Sequence, residues 1–307
     1  ERLFTPGWVP GVVIDYLHKD DPAYAISGQY IGSPSIAKLS NGSLVASHDI
    51  FGGGRQDLTR VFRSDDQGET WYHTADVSPG FWGKLFTHRG GLYLLACRRE
   101  YADLLLRHSP DGGVTWTEPI VVARGRYHKA PVPVIEYRGR LWSCVELQTG
   151  GWPRGFQAVV VSAIADADLM DPANWTVSAP LPYDPAWLPQ GWSLPDDQQG
   201  YLEGNAVVAL DGRLLNILRW HVYPHFGKAV ALEIASDGRC LSFDHAIDFP
   251  GGMTKFTILR HPETGLYWSL VNRVTKPDAA GMRSVLTLVK SADLEHWTPV
   301  RDLLRDD

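Results

Sequence analysis

Cysteine is scarce in this 307-residue chain: Cys97, Cys144 and Cys240 are the only three. An odd number set in apolar, strand-like runs excludes a disulfide framework, and all three are expected to be free, buried thiols. No Cys/His spacing suits zinc, so no metal is expected, and nothing in the sequence calls for a cofactor. A basic excess is also missing. With 29 Lys and Arg against 35 Asp and Glu, the net charge is −6, which excludes bulk attraction to nucleic acid or to an anionic membrane surface. No run of 18 apolar residues occurs, so no membrane span is expected. No cleavable signal is read at Glu1. The compartment is left open between the cytoplasm and, after removal of a signal, the outside. Sustained helical periodicity is scarce as well.

Turn formers and strand formers fill the chain instead. Thirty glycines, twenty-one prolines and twelve tryptophans punctuate short β-rich runs such as "LTRVFRS", "QAVVVSAI" and "SVLTLVKS". Two repeats organise them. Ser64 to Trp71 and Ser109 to Trp116 share the phrase Ser-x-Asp-x-Gly-x-Thr-Trp, with weaker copies at 236–238 and 291–297. The second repeat opens at Gly42, Gly91, Gly139, Gly212 and Gly265. Each glycine starts an apolar strand whose seventh following position is polar: Asp49, Arg98, Glu146, Arg219 and Asn272. A strand precedes each glycine and two follow. Four antiparallel strands repeated five times predict an all-β propeller of four-stranded antiparallel blades. A single domain is expected over 1–307. Its blades run at about 30–73, 80–120, 128–178, 201–246 and 253–300, and 1–29 is a closing segment in which "GVVIDYL" (11–17) offers one strand.

In such blades the Ser-x-Asp phrase links the third and fourth strands. Its Asp accepts backbone N–H groups, Gly supplies a positive φ and Trp covers the sheet, so Asp66 and Asp111 hold turns. The strand ends seven after each glycine, and the starts of the first strands at Ser33, Trp82, Lys129, Glu203 and Lys255, then share one convergent rim. Candidate site residues are His48, Asp49, Arg98, His128, Lys129, Glu146, Glu203, Arg219, Lys255 and Asn272, with Asp57 in the first rim loop. Strand alternation puts His48 and Asp49 on opposite sides. Trp187 and Trp192, in the longer insert 183–201, offer a platform for a sugar ring. Carboxylates close together raise one pKa and so keep a proton donor near neutrality. Arginines bind a sugar carboxylate in bidentate fashion.

The two full Asp-box phrases, together with "EGNAVVALDGRLLNILR", resemble the sialidase (BNR-repeat) superfamily of propellers over residues 30 to about 297. The resemblance implies that Glu203 activates a nucleophile and that Arg219 grips the substrate carboxylate. "ASHD" with its Gly-rich sequel implies Asp57 or Asp49 as the acid. Two features depart from the family. Gly32 stands where a triad arginine belongs, and five blades are found where the family usually has six. "FWGKLFTHRGGLYLL" and "YHKAPVPVIEYRGRLW" resemble a sialidase-like branch related to rhamnosidases and rhamnose–glucuronate lyases, which makes His128 or His48 a candidate base. The expected function is an exo-acting glycoside hydrolase on a terminal, possibly acidic sugar, with carbohydrate as its partner. A uronate-directed lyase and a non-catalytic glycan-binding propeller are the alternatives.

Overall fold

The computed structural model describes residues 11–16, 30–52 and 56–305. Among these there is no α-helix, and the strands form antiparallel sheets, three of them four-stranded. The chain divides into two compact units, one of residues 11–131 and 168–175, the other of 132–167 and 176–307.

The first unit holds two blades. One is β1 (Tyr30–Lys38), β2 (Leu44–Phe51), β3 (Thr59–Ser64) and β4 (Tyr72–Val77). The other is β5 (Phe81–His88), β6 (Gly91–Cys97), β7 (Ala102–Ser109) and β8 (Ile120–His128). Strand alternation sends Val45, Val61 and Val77 from the first blade against Leu85, Leu92 and Leu94 from the second. Each such side chain contributes about 1.5–3 kcal/mol by leaving water.

The second unit begins with β9 (Ile135–Tyr137), β10 (Arg140–Gln148), β11 (Phe156–Ile164), β12 (Trp175–Val177) and β13 (Leu181–Pro182). Next comes a blade of β14 (Gln199–Val208), β15 (Leu214–Val222), β16 (Lys228–Ile234) and β17 (Leu241–Asp248). The last blade is β18 (Thr257–Arg260), β19 (Tyr267–Asn272), β20 (Val285–Ser291) and β21 (Trp297–Arg305). Trp142, Val160, Leu218, Trp220 and Val230 build one core, and Ile217, Ala231, Phe256, Tyr267 and Val289 another.

All five turn glycines lead into second strands, as their spacing predicts. The hairpins at Arg89-Gly90 and Arg138-Gly139 place both central residues at positive φ (49° and 81°, 49° and 70°), the geometry that matches strand twist. The fourth strands differ from expectation: they begin at or after the tryptophans and extend the blades to Val77, His128 and Arg305. Residues 11–16 form no strand, and the remaining expected closing segment, 1–10 and 17–29, lies outside the described residues. Cys97 and Cys144 are buried, but Cys240 is exposed because it sits in the turn before β17.

The Ser-x-Asp-x-Gly-x-Thr-Trp phrase holds a turn in both full copies. Ser64 Oγ donates to Asp66 and accepts from the Gly68 N–H at 2.8 Å, while Trp71 Nε1 donates to the Gly68 carbonyl. The Thr70 hydroxyl and backbone N–H, then Ser64, hold the Asp66 carboxyl down at about 2. Ser109, Asp111, Gly113 and Thr115 repeat the pattern. In the degenerate copy at 291–297, His296 replaces the threonine and donates its backbone N–H to Asp293 at 2.8 Å, and Leu294 occupies a left-handed turn position at φ 73°.

Successive blades within each unit are joined by buried polar side chains. Asp49 accepts the Trp82 N–H at 2.8 Å, and Ser35 Oγ accepts that of Leu85 at 2.9 Å. Glu146 accepts the Gly204 N–H at 3.0 Å. Asn205 accepts the Ile258 N–H at 3.1 Å and donates to the Phe256 carbonyl at 3.3 Å. Leaving such groups bare in the interior costs about 1–3 kcal/mol each. Asn205→Ala is therefore expected to lower the unfolding free energy by roughly 2 kcal/mol or more, read by urea denaturation. A loss indistinguishable from zero would show that this latch contributes nothing.

Candidate active site

The sequence of β14 departs from a regular strand at one place. Its register against β15 shifts between Leu202 and Asn205, and Glu203 sits at φ 61°. Such a left-handed residue strains the backbone by about 1–2 kcal/mol. β1 and β5 carry the same irregularity, at Ser33 (φ 53°) and Trp82 (φ 58°). The bulge re-aims one side chain per first strand. Gly204 follows because a Cβ there would stand 2.0 Å from the Asn216 side chain.

At Glu203 the re-aimed group is a carboxylate, and β15 supplies its partner. Arg219 Nη1 donates to Glu203 Oε2 at 2.9 Å, and both side chains are 11% exposed. Two residues on, His221 shares Arg219's side of the strand. Arg219 and His221 line a cavity of about 250 Å³ with Trp152, Leu202, Met253, Thr254, Gly281 and Arg283. Trp152 forms a wall, with the Arg219 guanidinium 5.0 Å from its ring centroid and the His221 ring at 5.3 Å. Burial, and then the Arg219 charge, push the His221 imidazole below its ordinary range, so it is neutral at pH 7. Burial likewise pushes the Lys255 ammonium down; Glu203 opposes that shift and Arg283 adds to it. Arg219 thus pairs with the carboxylate, Lys255 feels its charge and Arg283 lines the same cavity, an arrangement suited to an anionic ligand and to acid–base work.

The expected site residues divide between the two units. Glu203, Arg219 and Lys255 belong together in the second. Glu146 is buried there too, with one oxygen on the Gly204 N–H next to Glu203. Asn272 ends β19 half-buried.

In the first unit Asp49 is fully buried and accepts from Thr59 Oγ1 at 2.6 Å and the Trp82 N–H at 2.8 Å. His48 does point away from it. Its Nε2 meets Asp15 Oδ2 at 2.8 Å, and Arg60 shares that carboxylate at 3.1 Å. Asp57 is half-buried before β3, with its carbonyl accepting the Gly80 N–H. Arg98, 45% exposed, approaches Asp103 at 3.9 Å. His128 ends β8, where Tyr127 pairs with Ala102, and lies edge-on to Trp82 at 4.3 Å. Lys129 is buried just beyond, donating to the Ala130 carbonyl at 2.8 Å.

Both tryptophans of the insert pack, partly buried, against the core, Trp187 stacked on Phe243 at 5.0 Å and Trp192 on His225 at 3.8 Å. The sequence reading missed Trp152, His221, Thr254 and Arg283. For His221 a signal was present in the strand period itself, two residues after Arg219. The others come from loops whose approach to β15 no local pattern records. Among the described residues, no group of three or more His, Cys, Asp or Glu side chains could hold a metal ion. None of their helices is long and apolar enough to cross a membrane.

The fold is that of the β-propellers. A Hadza microbial sialidase superposes with a TM-score of 0.62 at 15% identity; the match covers 90% of this chain and 59% of the sialidase. The α-L-arabinanase of Penicillium chrysogenum, solved with arabinobiose, gives 0.56 at 14%, covering 90% of this chain and 82% of the other. An ulvan lyase, described as a new family of polysaccharide lyase, gives 0.51 at 13%, covering 90% and 70%. No protein-family model matches the sequence, and comparison with curated proteins gives no match.

Asp49 carries a pH-dependent consequence. Burial pushes its carboxyl up to about 7, against hydrogen bonds from Thr59, Trp82, Ser33 and Gly83 that favour the anion. The folded protein therefore keeps this proton over a range where the unfolded chain, with an ordinary value of 3.8, has lost it. The stabilisation is complete below about 4 and is lost as pH rises through about 7. Stability relative to Asp49→Asn is expected to fall by up to about 1.4 kcal/mol per pH unit between roughly pH 5 and 7 and then level off, read from urea midpoints. A flat difference would place the Asp49 titration elsewhere.

Proposed function

We propose that the protein is a glycan-active enzyme, an exo-acting glycoside hydrolase on a terminal sugar bearing an anionic group. The single observation that carries this reading is the Glu203–Arg219 pair, set on a strained bulge beside a cavity walled by Trp152, His221 and Arg283. The cavity is smaller than the ~300–1,000 Å³ common for drug-sized ligands, a volume that favours one sugar residue. Arg219 and Arg283 attract the anionic group, and Lys255 adds to the field. Glu203, oriented by Arg219, accepts the proton of the attacking water as its oxygen bonds the anomeric carbon and the glycosidic C–O bond breaks, and the departing sugar oxygen takes a proton from solvent. The fold likeness to a sialidase and an arabinanase supports the reaction class.

A uronate lyase is the second reading, favoured by His221. A neutral imidazole on the cavity wall beside two arginines suits removal of the proton next to a carboxylate. That proton goes to His221, a carbon–carbon double bond forms, and the bond to the leaving sugar oxygen breaks, that oxygen taking a proton from solvent. The ulvan lyase shares the fold.

Glycosides of neutral and acidic sugars, and uronate-containing polysaccharides, separate the readings. Hydrolysis yields a reducing sugar without new ultraviolet absorption, whereas elimination yields an absorbing unsaturated product. Glu203→Gln is expected to lower kcat by about 100-fold or more with thermal stability close to wild type. Full activity of Glu203→Gln would refute the hydrolase assignment. An absorbing product that is lost in His221→Ala would establish the lyase.

A further inference from the structure

Trp152 is a large apolar side chain left 45% exposed, at the tip of a loop whose shape is fixed in advance. The N–H groups of Thr149 and Gly150 both donate to the Gly155 carbonyl, at 2.7 and 3.0 Å, and the Gly155 N–H donates to the Gly151 carbonyl at 2.7 Å. The loop closes so tightly that a Cβ on Gly155 would stand 2.1 Å from the Gly150 backbone. One on Gly200, in β14, would stand 2.3 Å from the Pro153 carbonyl oxygen. Arg154 pairs with Asp196 of the insert and ties the loop down at its far side. The ring is then set by Arg219, by His221 and, edge-on at 6.0 Å, by Phe156.

Holding half a tryptophan in water on a preset loop does little for folding, since the exposed area gains nothing from burial. It does prepare a flat apolar wall beside charged groups. A pyranose ring has one face rich in C–H groups and an edge of hydroxyls, and it matches such a wall: the C–H face covers the indole while polar groups reach the arginines. An aromatic whose position is fixed before binding loses little entropy on complex formation. We propose that Trp152 is the sugar-stacking, specificity-determining residue of the cavity, supporting the C–H face of a pyranose whose anionic group lies toward Arg219 and Arg283. This rests on the glycan-active reading of the same cavity.

The test is calorimetric titration of the whole protein with D-glucuronate, N-acetylneuraminate and L-arabinose, using wild type, Trp152→Ala and Trp152→Phe, with a thermal melt of each. The expected result is that one of the two acidic sugars binds wild type, that Trp152→Ala weakens it at least about 10-fold, and that Trp152→Phe recovers most of the loss while all three melt within about 2 °C. Three results would overturn the proposal. Unchanged affinity in Trp152→Ala would do so while leaving the glycan-active reading intact. So would a lower melting temperature of Trp152→Ala with no rescue by phenylalanine, which would assign the residue to folding. No binding of any of the three sugars to wild type, together with no turnover of the glycosides above, would remove the glycan-active reading and this inference with it.

Discussion

The structure depends on one recurring hydrogen bond: a buried polar side chain of one blade accepts a backbone N–H from the first strand of the next. Asp49, Ser35, Glu146 and Asn205 each do this. In the first strands that carry a bulge, local pairing is interrupted at the register shift. An N–H left bare in the interior would cost about as much as the latch supplies. The bulge and the latch are therefore one device: the first strand gives up regular pairing, and the neighbouring blade satisfies it.

The same device positions the candidate chemistry. A bulge turns one residue per strand to positive φ and re-aims its side chain. At Ser33 and Trp82 the result is structural. At Glu203 the re-aimed group is a carboxylate, and Arg219 on the adjacent strand meets it at 2.9 Å. Strain of this kind persists only where the surroundings over-determine it. Here they do: Asn205 bonds the next blade, Gly204 is locked by Glu146, and Arg219 is wedged between Glu203 and Trp152. Rigidity built for folding becomes preorganisation at the cavity.

Position in the repeat does not assign a task. Asp49, Glu146 and Arg219 all stand seven after a turn glycine, and sequence periodicity treats them as equals. Asp49 and Glu146 each place one oxygen on a backbone N–H of the next blade, whereas Arg219 faces a cavity. The difference lies in what the neighbouring blade presents. His128 shows a related limit. Its "RYHKAPVPV" context reads as the entrance to a new blade, yet the same strand pairs Tyr127 with Ala102, and strand ends are set by their partners rather than by their own residues.

By itself the sequence determined the all-β blade architecture, the turn glycines and the Asp-box turns. These rest on interactions within a few residues: a period of two, a positive φ, a side chain bonding its own turn. It also determined that Glu203 and Arg219 lie on paired neighbouring strands, since hairpin pairing is short-range, although both fall inside β14 and β15 rather than at their ends. Only the tertiary structure decided that Trp152, Thr254 and Arg283 join them, that Trp187 and Trp192 pack against the core, and that Asp49 is a latch. Those outcomes hang on which loop or blade packs against β14 and β15, a choice made by long-range burial and by the need to satisfy every interior N–H, neither of which leaves a mark at fixed spacing along the chain.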